Sequence, residues 1–160
     1  VIGIHSTNLY AIITQNGQIL YKQETSVSAE QLNQLIQRTY QVTEEKAEQM
    51  MISAEKPSDY QFLVTDKFNA QVAQEIQRVL QFYYTTQPQE HYADISHILL
   101  TGTASYQIGL PEAIFAATNT AASCVNPIVY TTKSNKTDLA KLQLDAPCLT
   151  TAFGLALRGL

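Results

Sequence analysis

The first residues with a chemistry suited to ligand binding lie near the start of the chain. Gly3, Ser6 and Thr7 stand together ahead of a hairpin, and a turn of this composition can present N–H and O–H donors to phosphate oxygens. Serine and threonine also occupy ordinary turns, because their hydroxyl groups bond to the neighbouring backbone. The residues alone therefore leave two interpretations open, a phosphate contact and a simple turn.

A second candidate lies where an apolar run stops at Gly102 and Pro111 opens a helix nine residues later. This order is typical of a strand, a turn and a helix. Because glycine has no Cβ, a flat ring or a phosphate can approach the backbone closely at such a turn. On this segment alone the simpler interpretation is favoured, in which a strand merely ends at a glycine.

Other chemistries find no matching pattern in the sequence. His5, His91 and His97 lack zinc-ligand spacing, and neither a nucleophile elbow nor a G-x-x-x-x-G-K-[ST] phosphate loop occurs. The net charge of −4 and the scattered ten basic residues argue against a nucleic-acid surface. No apolar run approaches the roughly 20 residues that span a bilayer, and the separated Cys124 and Cys148 fit a reducing cytoplasm. We therefore expect no metal site, catalytic residue, nucleic-acid partner or direct membrane insertion.

Hydrophobic periodicity and turn residues predict alternating strands and helices. Asn16-Gly17 between two β-rich runs is the pair that a type I′ hairpin requires, and Ser28 with Gln31 is a capping-box pattern. Asp145 is predicted to cap the last helix, with a proline in its first turn. The predicted strands are 1–5, 9–14, 19–21, 96–101 and 124–127, and a surface loop is predicted at 131–137. The predicted helices are 28–41, a second that begins after its cap Thr43 and ends at Pro57, a third from 66 to about 84, a fourth at 111–118 and a last one at 145–157.

The last predicted helix contains a glycine that bears on packing. Gly154 lies inside an otherwise apolar run, where glycine costs roughly 1 kcal/mol relative to alanine. We expect a close approach of this helix to the sheet at Gly154, so that a leucine there would destabilise the domain.

Three short motifs add to this order of elements: Gln81-Phe82-Tyr83-Tyr84, the segment 97–110, and Asp145-Ala146-Pro147 followed by Ala152-Phe-Gly154-Leu-Ala-Leu157. Together they resemble the second half of actin-like ATPases, and among these the PilM family of the type IV pilus machinery, which is related to the cell-division protein FtsA. The resemblance covers essentially the whole chain.

The resemblance implies an α/β domain of the actin-like or ribonuclease-H-like class. Its mixed sheet would have five strands, three antiparallel and then two parallel, flanked by helices. The core would comprise 1–41 and 66–160, with a small inserted helical lobe at about 42–65. The segment 1–160 would be the second lobe of a two-lobed protein, whose first lobe this sequence does not contain.

The resemblance also implies half of a nucleotide site. The full-length protein would bind ATP with Mg²⁺ in a cleft between its lobes, while this segment would require no cofactor of its own. The hairpin at the start would be the second phosphate-binding loop, the turn after the fourth strand would line the adenosine, and the second helix would lie near the ribose. The residues implied are Gly3, Ser6 and Thr7 for the phosphates, Glu48 for the ribose, and Gly102, Thr103 and Ala104 for the adenosine.

Four positions depart from the family pattern on this cleft. Val1 stands where an acidic residue is expected, Ser28-Ala29 where paired glycines precede the first helix, Met51 where a basic residue is expected, and Thr103 at the second glycine of the adenosine turn. An apolar side chain can neither hold Mg²⁺ nor orient water, and phosphoryl transfer depends on both. We therefore expect no hydrolysis.

The function implied is that of a cytoplasmic scaffold, peripheral to the inner membrane through protein partners, in pilus biogenesis, twitching motility or DNA uptake. The cytoplasmic tail of PilN would bind through the first lobe. This lobe would contact other platform or motor proteins or a second copy of itself, and the stripe on 43–65 is the place to look. The alternatives are an active ATPase or sugar-kinase-like enzyme of the same fold, which needs a metal-holding acid and a base, and a ribonuclease-H-like module without a nucleotide role.

Overall fold

One mixed sheet organises the residues that the computed structural model describes, which are 1–53, 55–86, 94–131, 142 and 145–159. Its strands are β1 (Ile2–Ile4), β2 (Leu9–Gln15), β3 (Gln18–Thr25), β4 (Ile98–Thr101) and β5 (Ala122–Cys124), in the spatial order β3-β2-β1-β4-β5. The pairs β1–β2 and β2–β3 are antiparallel, whereas β1–β4 and β4–β5 are parallel. The predicted five-stranded mixed sheet is therefore confirmed.

The turn between β2 and β3 has the geometry expected from its sequence. Asn16 and Gly17 both have positive φ, 51° and 77°, as a type I′ hairpin requires. Along β2 the side chains of Leu9, Ala11 and Ile13 are buried, while the intervening ones are partly exposed. This alternation with a period of two directs one face of the hairpin toward the core.

Helices follow each half of the sheet. Within the described part of the chain, none is long and apolar enough to cross a membrane. The α-helices are α1 (Ala29–Tyr40), α2 (Glu44–Ile52), α3 (Asp66–Thr86), α4 (Leu110–Thr118) and α5 (Thr150–Arg158), with a π-helical turn at Gln61–Thr65 that runs into α3 and a 3₁₀ turn at Pro127–Tyr130.

Both helix caps predicted in the first half of the chain are present. The Ser28 hydroxyl accepts a hydrogen bond from the backbone N–H of Gln31 at 3.4 Å, and Thr43 does the same for Lys46 at 3.4 Å. Each bond satisfies one of the N–H groups that a helix start leaves without a partner. The caps therefore fix the residues at which α1 and α2 begin.

The core lies between the buried face of the sheet and the helices α1, α3 and α4. Helix α3 supplies seven of the 24 buried residues of this core, because its apolar residues recur at helical spacing over five turns. The largest side chains that are almost completely buried are Tyr60, Tyr83, Phe68, Ile4, Leu9, Leu32, Ile36, Ile76, Leu100, Leu110, Ile114 and Val64.

The edge strand β5 begins and ends earlier than predicted. Its pairing with β4 spans Ala122 to Cys124, and the backbone N–H of Val125 donates to Leu100 at 2.8 Å as the chain leaves the sheet. The Asn126 side chain then accepts from the next turn and begins the 3₁₀ segment. The prediction of a strand at 124–127 was wrong because a polar cap and a proline redirect the chain there.

The last helix begins at Thr150, and Asp145 does not cap it. The Asp145 carbonyl instead accepts backbone bonds from the residues three and four positions later, which is a turn. The Pro147 carbonyl accepts the Thr101 hydroxyl at 2.7 Å and the Gly102 N–H at 3.3 Å. The motif therefore joins the end of β4 to the last segment of the chain, which the sequence did not indicate.

The predicted contact between Gly154 and the sheet is also wrong. Among the residues that the structure describes, a Cβ placed on Gly154 meets no heavy atom within 4 Å outside its own helix backbone, and α5 has no buried residue. The surface loop predicted at 131–137 lies, except for residue 131, outside the described residues, as do residues 138–141 and 143–144.

Replacing Gly154 by alanine is expected to leave the free energy of unfolding unchanged or to raise it by up to about 1 kcal/mol, because alanine favours a helix and finds open space here. Urea unfolding of parent and variant measures the difference. A lower midpoint in the variant would show that α5 packs more closely than described.

Candidate functional site

The turn after β4 requires a glycine because another backbone lies against it. Gly102 has a φ of +95°, and a Cβ there would press on the Ile4 carbonyl oxygen and lie 2.8 Å from its carbonyl carbon. The N–H of Ala104 donates to the same Ile4 oxygen at 3.3 Å. The backbone of β1 therefore occupies the space that a side chain at residue 102 would need. Close packing against β1 explains why this residue is a glycine, without any ligand.

Further hydrogen bonds fix the shape of this turn. The Ser105 hydroxyl donates to the Gly102 carbonyl at 2.8 Å, and the Cys124 thiol donates to the Ser105 carbonyl at 3.1 Å. The side chains of Ala104 and Ser105 are completely buried, whereas Thr103 is exposed. Of the three residues predicted to line an adenosine, Thr103 is thus the one that presents a side chain to solvent.

The loop between β1 and β2 is tied to the start of α1. The N–H of Ala29 donates to the His5 carbonyl at 2.8 Å, and the N–H of Glu30 donates to the Ser6 carbonyl at 3.0 Å. Free N–H groups at a helix start commonly bind phosphate, but here the loop itself accepts these two. The backbone N–H groups of Ala29 and Glu30 therefore fasten the loop to the start of α1.

Gly3 is a glycine because of packing within the sheet, away from the cleft. It pairs with Tyr10 and Thr101 in the middle of the sheet, and a Cβ would lie 2.7 Å from both the His5 and the Tyr10 rings. Those rings are stacked with their centroids 4.8 Å apart and their planes 13° apart. The glycine leaves room for this stack.

Four of the seven predicted site residues line one cavity of about 330 Å³, which we call the acidic cavity. They are Ser6, Thr7, Glu48 and Thr103; Gly3, Gly102 and Ala104 are not part of its wall. Among the described residues, three carboxylates and no Lys, Arg or His line it. The full lining is Ser6, Thr7, Ala29, Glu30, Asn33, Glu44, Glu48, Met51 and Thr103.

A second cavity of about 600 Å³, the apolar cavity, adjoins the first and shares Met51 and Thr103 with it. Two of its wall residues are unusually exposed apolar side chains, Ile52 at 86% and Ile108 at 72%. No pattern in the sequence indicated this cavity. The whole lining is Met51, Ile52, Lys56, Pro57, Ser58, Tyr60, Gln61, Thr65, Thr103, Tyr106, Gln107, Ile108 and Asp145.

Tyr60 is the unusual residue of the apolar cavity. It is 2% exposed, and its hydroxyl is buried without a hydrogen-bond partner among the described residues. The Lys56 ammonium lies 4.7 Å from the centre of its ring, and the Tyr40 ring stacks on it at 6.2 Å. Burial raises the pKa of Tyr60 to about 12 and lowers the pKa of Lys56.

The Tyr60→Phe variant is expected to lose less stability at alkaline pH than the parent. The folded-state pKa of Tyr60 lies above its ordinary value of 10.0, so its stabilising effect is complete below pH 10 and is lost as pH rises toward 12. Because the hydroxyl has no hydrogen-bond partner within the described ranges, phenylalanine should cost little at pH 7. Thermal unfolding of both proteins between pH 8 and 12 measures this, and parallel curves would contradict it.

The residues of the acidic cavity do not fit a magnesium-bound triphosphate. Like charges repel, and no Lys, Arg or His of the described part of the chain lines this wall to offset Glu30, Glu44 and Glu48. The helix N–H groups nearby are already bonded to the loop. In the described parts of the chain no group of three or more His, Cys, Asp or Glu could hold a metal ion. The hydroxyl groups of Ser6, Thr7 and Thr103 remain as donors in this wall, beside three carboxylates that would repel phosphate.

The sheet order, the helices between α1 and α3, and the cleft beside the turn after β4 together define an actin-like fold. Solved structures agree: a PilM-PilN type IV pilus biogenesis complex matches with a TM-score of 0.77 at 20% identity, over 99% of this chain and 45% of that one. The ethanolamine utilization protein EutJ from Carboxydothermus hydrogenoformans matches with a TM-score of 0.68 at 14% identity, over 98% of this chain and 47% of that one. MreB 5 of Spiroplasma citri bound to AMPPNP matches with a TM-score of 0.61 at 12% identity, over 99% of this chain and 54% of that one.

The family model described as type IV pilus assembly protein PilM matches residues 1–160. The chain therefore belongs to the PilM family of type IV pilus assembly proteins. It spans about half the length of the solved structures it resembles.

Proposed function

We propose that this chain is the second lobe of an actin-like scaffold in the inner-membrane platform of the type IV pilus. The observation that carries the proposal is the family match over every residue of the chain. The protein would be cytoplasmic and held at the inner membrane by its partners. Its role would be in pilus biogenesis, and through it in twitching motility and DNA uptake.

A degenerate half nucleotide site is part of this proposal. Met51 and Thr103, two of the positions that depart from the family pattern, lie where the two cavities meet. The carboxylates around them oppose a phosphate chain. Any ATP with Mg²⁺ that the full-length protein binds would depend on cations from the first lobe, and this segment would require no cofactor of its own.

The proposed partner is the cytoplasmic tail of PilN, bound through the first lobe. The support is the solved complex of that name, which has the same fold as this chain. This lobe would contact other platform or motor proteins or a second copy of itself. Two apolar side chains of the helical segment between α1 and α3, Ile52 at 86% and Phe62 at 71%, are exposed where such a contact could form.

Restoration of surface pili in a deletion strain, measured beside ATP turnover of the purified intact protein, tests the scaffold role. We expect the parent and Glu48→Gln to restore pili equally and the purified protein to show no turnover. The matched control is Glu45→Gln, because Glu45 lies on the same helix and does not line the acidic cavity. Turnover that falls tenfold in Glu48→Gln but not in Glu45→Gln would favour the enzyme alternative.

Capture of the PilN tail tests the partner. A column carrying the synthetic cytoplasmic tail is expected to retain the intact protein. A tail of the same composition in scrambled order is the control. Equal retention on both columns would contradict the proposed partner.

A further inference from the structure

Strand β3 forms one edge of the sheet, and no other strand of the described residues pairs with its outer side. It has eight residues and is the longest strand of this sheet. The irregularity in its pairing with β2 lies near the hairpin turn, so residues 21–25 are paired without a break. Natural edge strands are usually short or interrupted, because unpaired N–H and C=O groups readily bond to another strand. A long and regular edge is therefore a candidate binding surface.

This edge lies outside the cleft. Neither the acidic cavity nor the apolar cavity has a wall residue from β3, all of whose residues are described. In the order of the sheet, β2 and β1 separate β3 from β4. A partner on this edge thus does not need the surface that the proposed function gives to the nucleotide and the first lobe.

The bonding pattern of the sheet determines which backbone groups of β3 point outward. Ile12 exchanges two hydrogen bonds, 2.7 and 2.9 Å long, with the residue that precedes β1. Bonded residues alternate along an antiparallel strand, so Ala11 bonds to β3, where it pairs with Gln23. Lys22 and Glu24, on either side of Gln23, therefore direct their N–H and C=O groups away from β2.

The charges at these two positions make β3 complementary to itself. Lys22 and Glu24 are both exposed, and the Asn8 amide donates to Glu24 at 3.5 Å. When two copies of β3 pair antiparallel about a two-fold axis at Gln23, Lys22 of each copy lies opposite Glu24 of the other, and such pairs stabilise a sheet. An axis at Lys22 or at Glu24 would instead place like charges opposite each other. A lysine by itself protects an edge strand, but here Glu24 supplies its partner.

An exposed aromatic side chain beside the edge adds apolar area to this surface. Phe82 of α3 is 53% exposed, and its ring centre lies 6.2 Å from that of Tyr21 on β3. A second copy paired at β3 would bring its own sheet and α3 alongside and would cover part of these rings. Large aromatic side chains commonly contribute much of the binding energy of an interface.

We propose that β3 pairs antiparallel with β3 of a second copy of this chain, about a two-fold axis at Gln23. The two sheets then form one continuous sheet, and each copy uses the same residues, as in the closed interface of a symmetric dimer. Self-complementary charge favours a second copy over a strand of another protein. This inference rests on the self-association included in the proposed function and gives it a surface.

Reciprocal charge changes in the intact protein test the pairing. Lys22→Glu and Glu24→Lys are each expected to weaken dimerisation at least tenfold, because each change places like charges opposite each other twice. An equimolar mixture of the two variants is expected to restore it, since every pair between them again joins opposite charges. Lys67→Glu, an exposed charge change on α3, is the control and should alter dimerisation less than twofold.

Sedimentation velocity measures these dimers at concentrations from about 1 µM to about 1 mM, a range that includes the dissociation constants of weak complexes. Melting curves of the variants show that they remain folded. Added salt is expected to weaken the dimer of the parent, because exposed ion pairs are screened.

Amide hydrogen exchange and the aromatic contact are separate checks on the same interface. The amides of Lys22 and Glu24 should exchange more slowly as the protein concentration rises, whereas that of Gln23, already bonded to β2, should not change. Phe82→Ser should weaken dimerisation at least fivefold, and Phe115→Ser, an exposed phenylalanine on α4, less than twofold.

Three results would overturn the proposal: a monomer throughout the concentration range, equal effects of Lys22→Glu and Lys67→Glu, or no dimer in the mixture of the two charge variants. These outcomes are separate from failure of the scaffold role, which is measured by pilus assembly in the deletion strain. Pili restored by a protein that stays monomeric would keep that role and exclude the pairing.

Discussion

Replacing Gly102 with alanine is expected to lower the free energy of unfolding by about 3 kcal/mol or more. Two costs add at this residue. A side chain at a φ of +95° is strained, by about 1–3 kcal/mol. The new Cβ also presses on the Ile4 backbone, with the carbonyl carbon 2.8 Å and the nitrogen 3.0 Å away; overpacking of this kind costs about 1–3 kcal/mol.

The backbone that the new methyl group meets cannot move aside easily. Ile4 pairs with Leu9 across β1 and β2, and Gly3 next to it pairs with Thr101 on the other side. Moving β1 would therefore disturb both neighbours in the centre of the sheet.

Gly17→Ala is the control for the change at Gly102. Gly17 has a similar positive φ, 77°, but a Cβ there meets nothing within 4 Å, so only the strain remains, about 1 kcal/mol. Urea unfolding of the two variants and the parent separates the contributions. Equal losses in Gly102→Ala and Gly17→Ala would mean that the contact with Ile4 is relieved at no cost.

Truncating Phe68 to alanine is expected to cost about 3–5 kcal/mol, which is the usual range for a buried phenylalanine. Phe68 lies in the first turn of α3, is 0% exposed and belongs to the cluster of buried residues between helices and sheet. Its removal loses apolar burial and leaves a cavity that close-packed neighbours fill only in part.

Phe62→Ala is the matched control for this prediction. Phe62 lies six residues earlier, in the π-helical turn, and is 71% exposed. We expect its truncation to change the free energy of unfolding by less than about 0.5 kcal/mol, as surface substitutions usually do. Chemical unfolding monitored by circular dichroism compares both variants, and a similar loss in each would contradict the described burial of α3.

Features set by neighbours in the sequence were predictable. Asn16 and Gly17 form the turn that their types require, and Ser28 and Thr43 cap the helices that follow them. In each case the interaction spans at most three residues, so the local sequence contains all the partners. The short motifs and the order of elements also sufficed to indicate the family, which the match over 1–160 shows.

Boundaries that depend on distant partners were not predictable. Asp145 and Pro147 have the pattern of a helix start, yet Pro147 instead bonds to the end of β4, 46 residues away in sequence from its partner Thr101. Gly154 has the pattern of a packed helix glycine, yet its helix has no buried residue. Residue type gives no information about which distant backbone group lies opposite.

The candidate site also has features that could be predicted from the sequence and features that could not. The family resemblance of the sequence predicted the actin-like fold, which is confirmed, and predicted ligand contacts for Ser6, Thr7, Glu48 and Thr103, which remain predictions. Only the tertiary structure decided that these residues share one wall with Glu30 and Glu44, and that a cavity around Tyr60 adjoins it. The physical reason is that the charge and burial of a site depend on residues from several elements that are far apart in the chain. Only the fold brings those elements together.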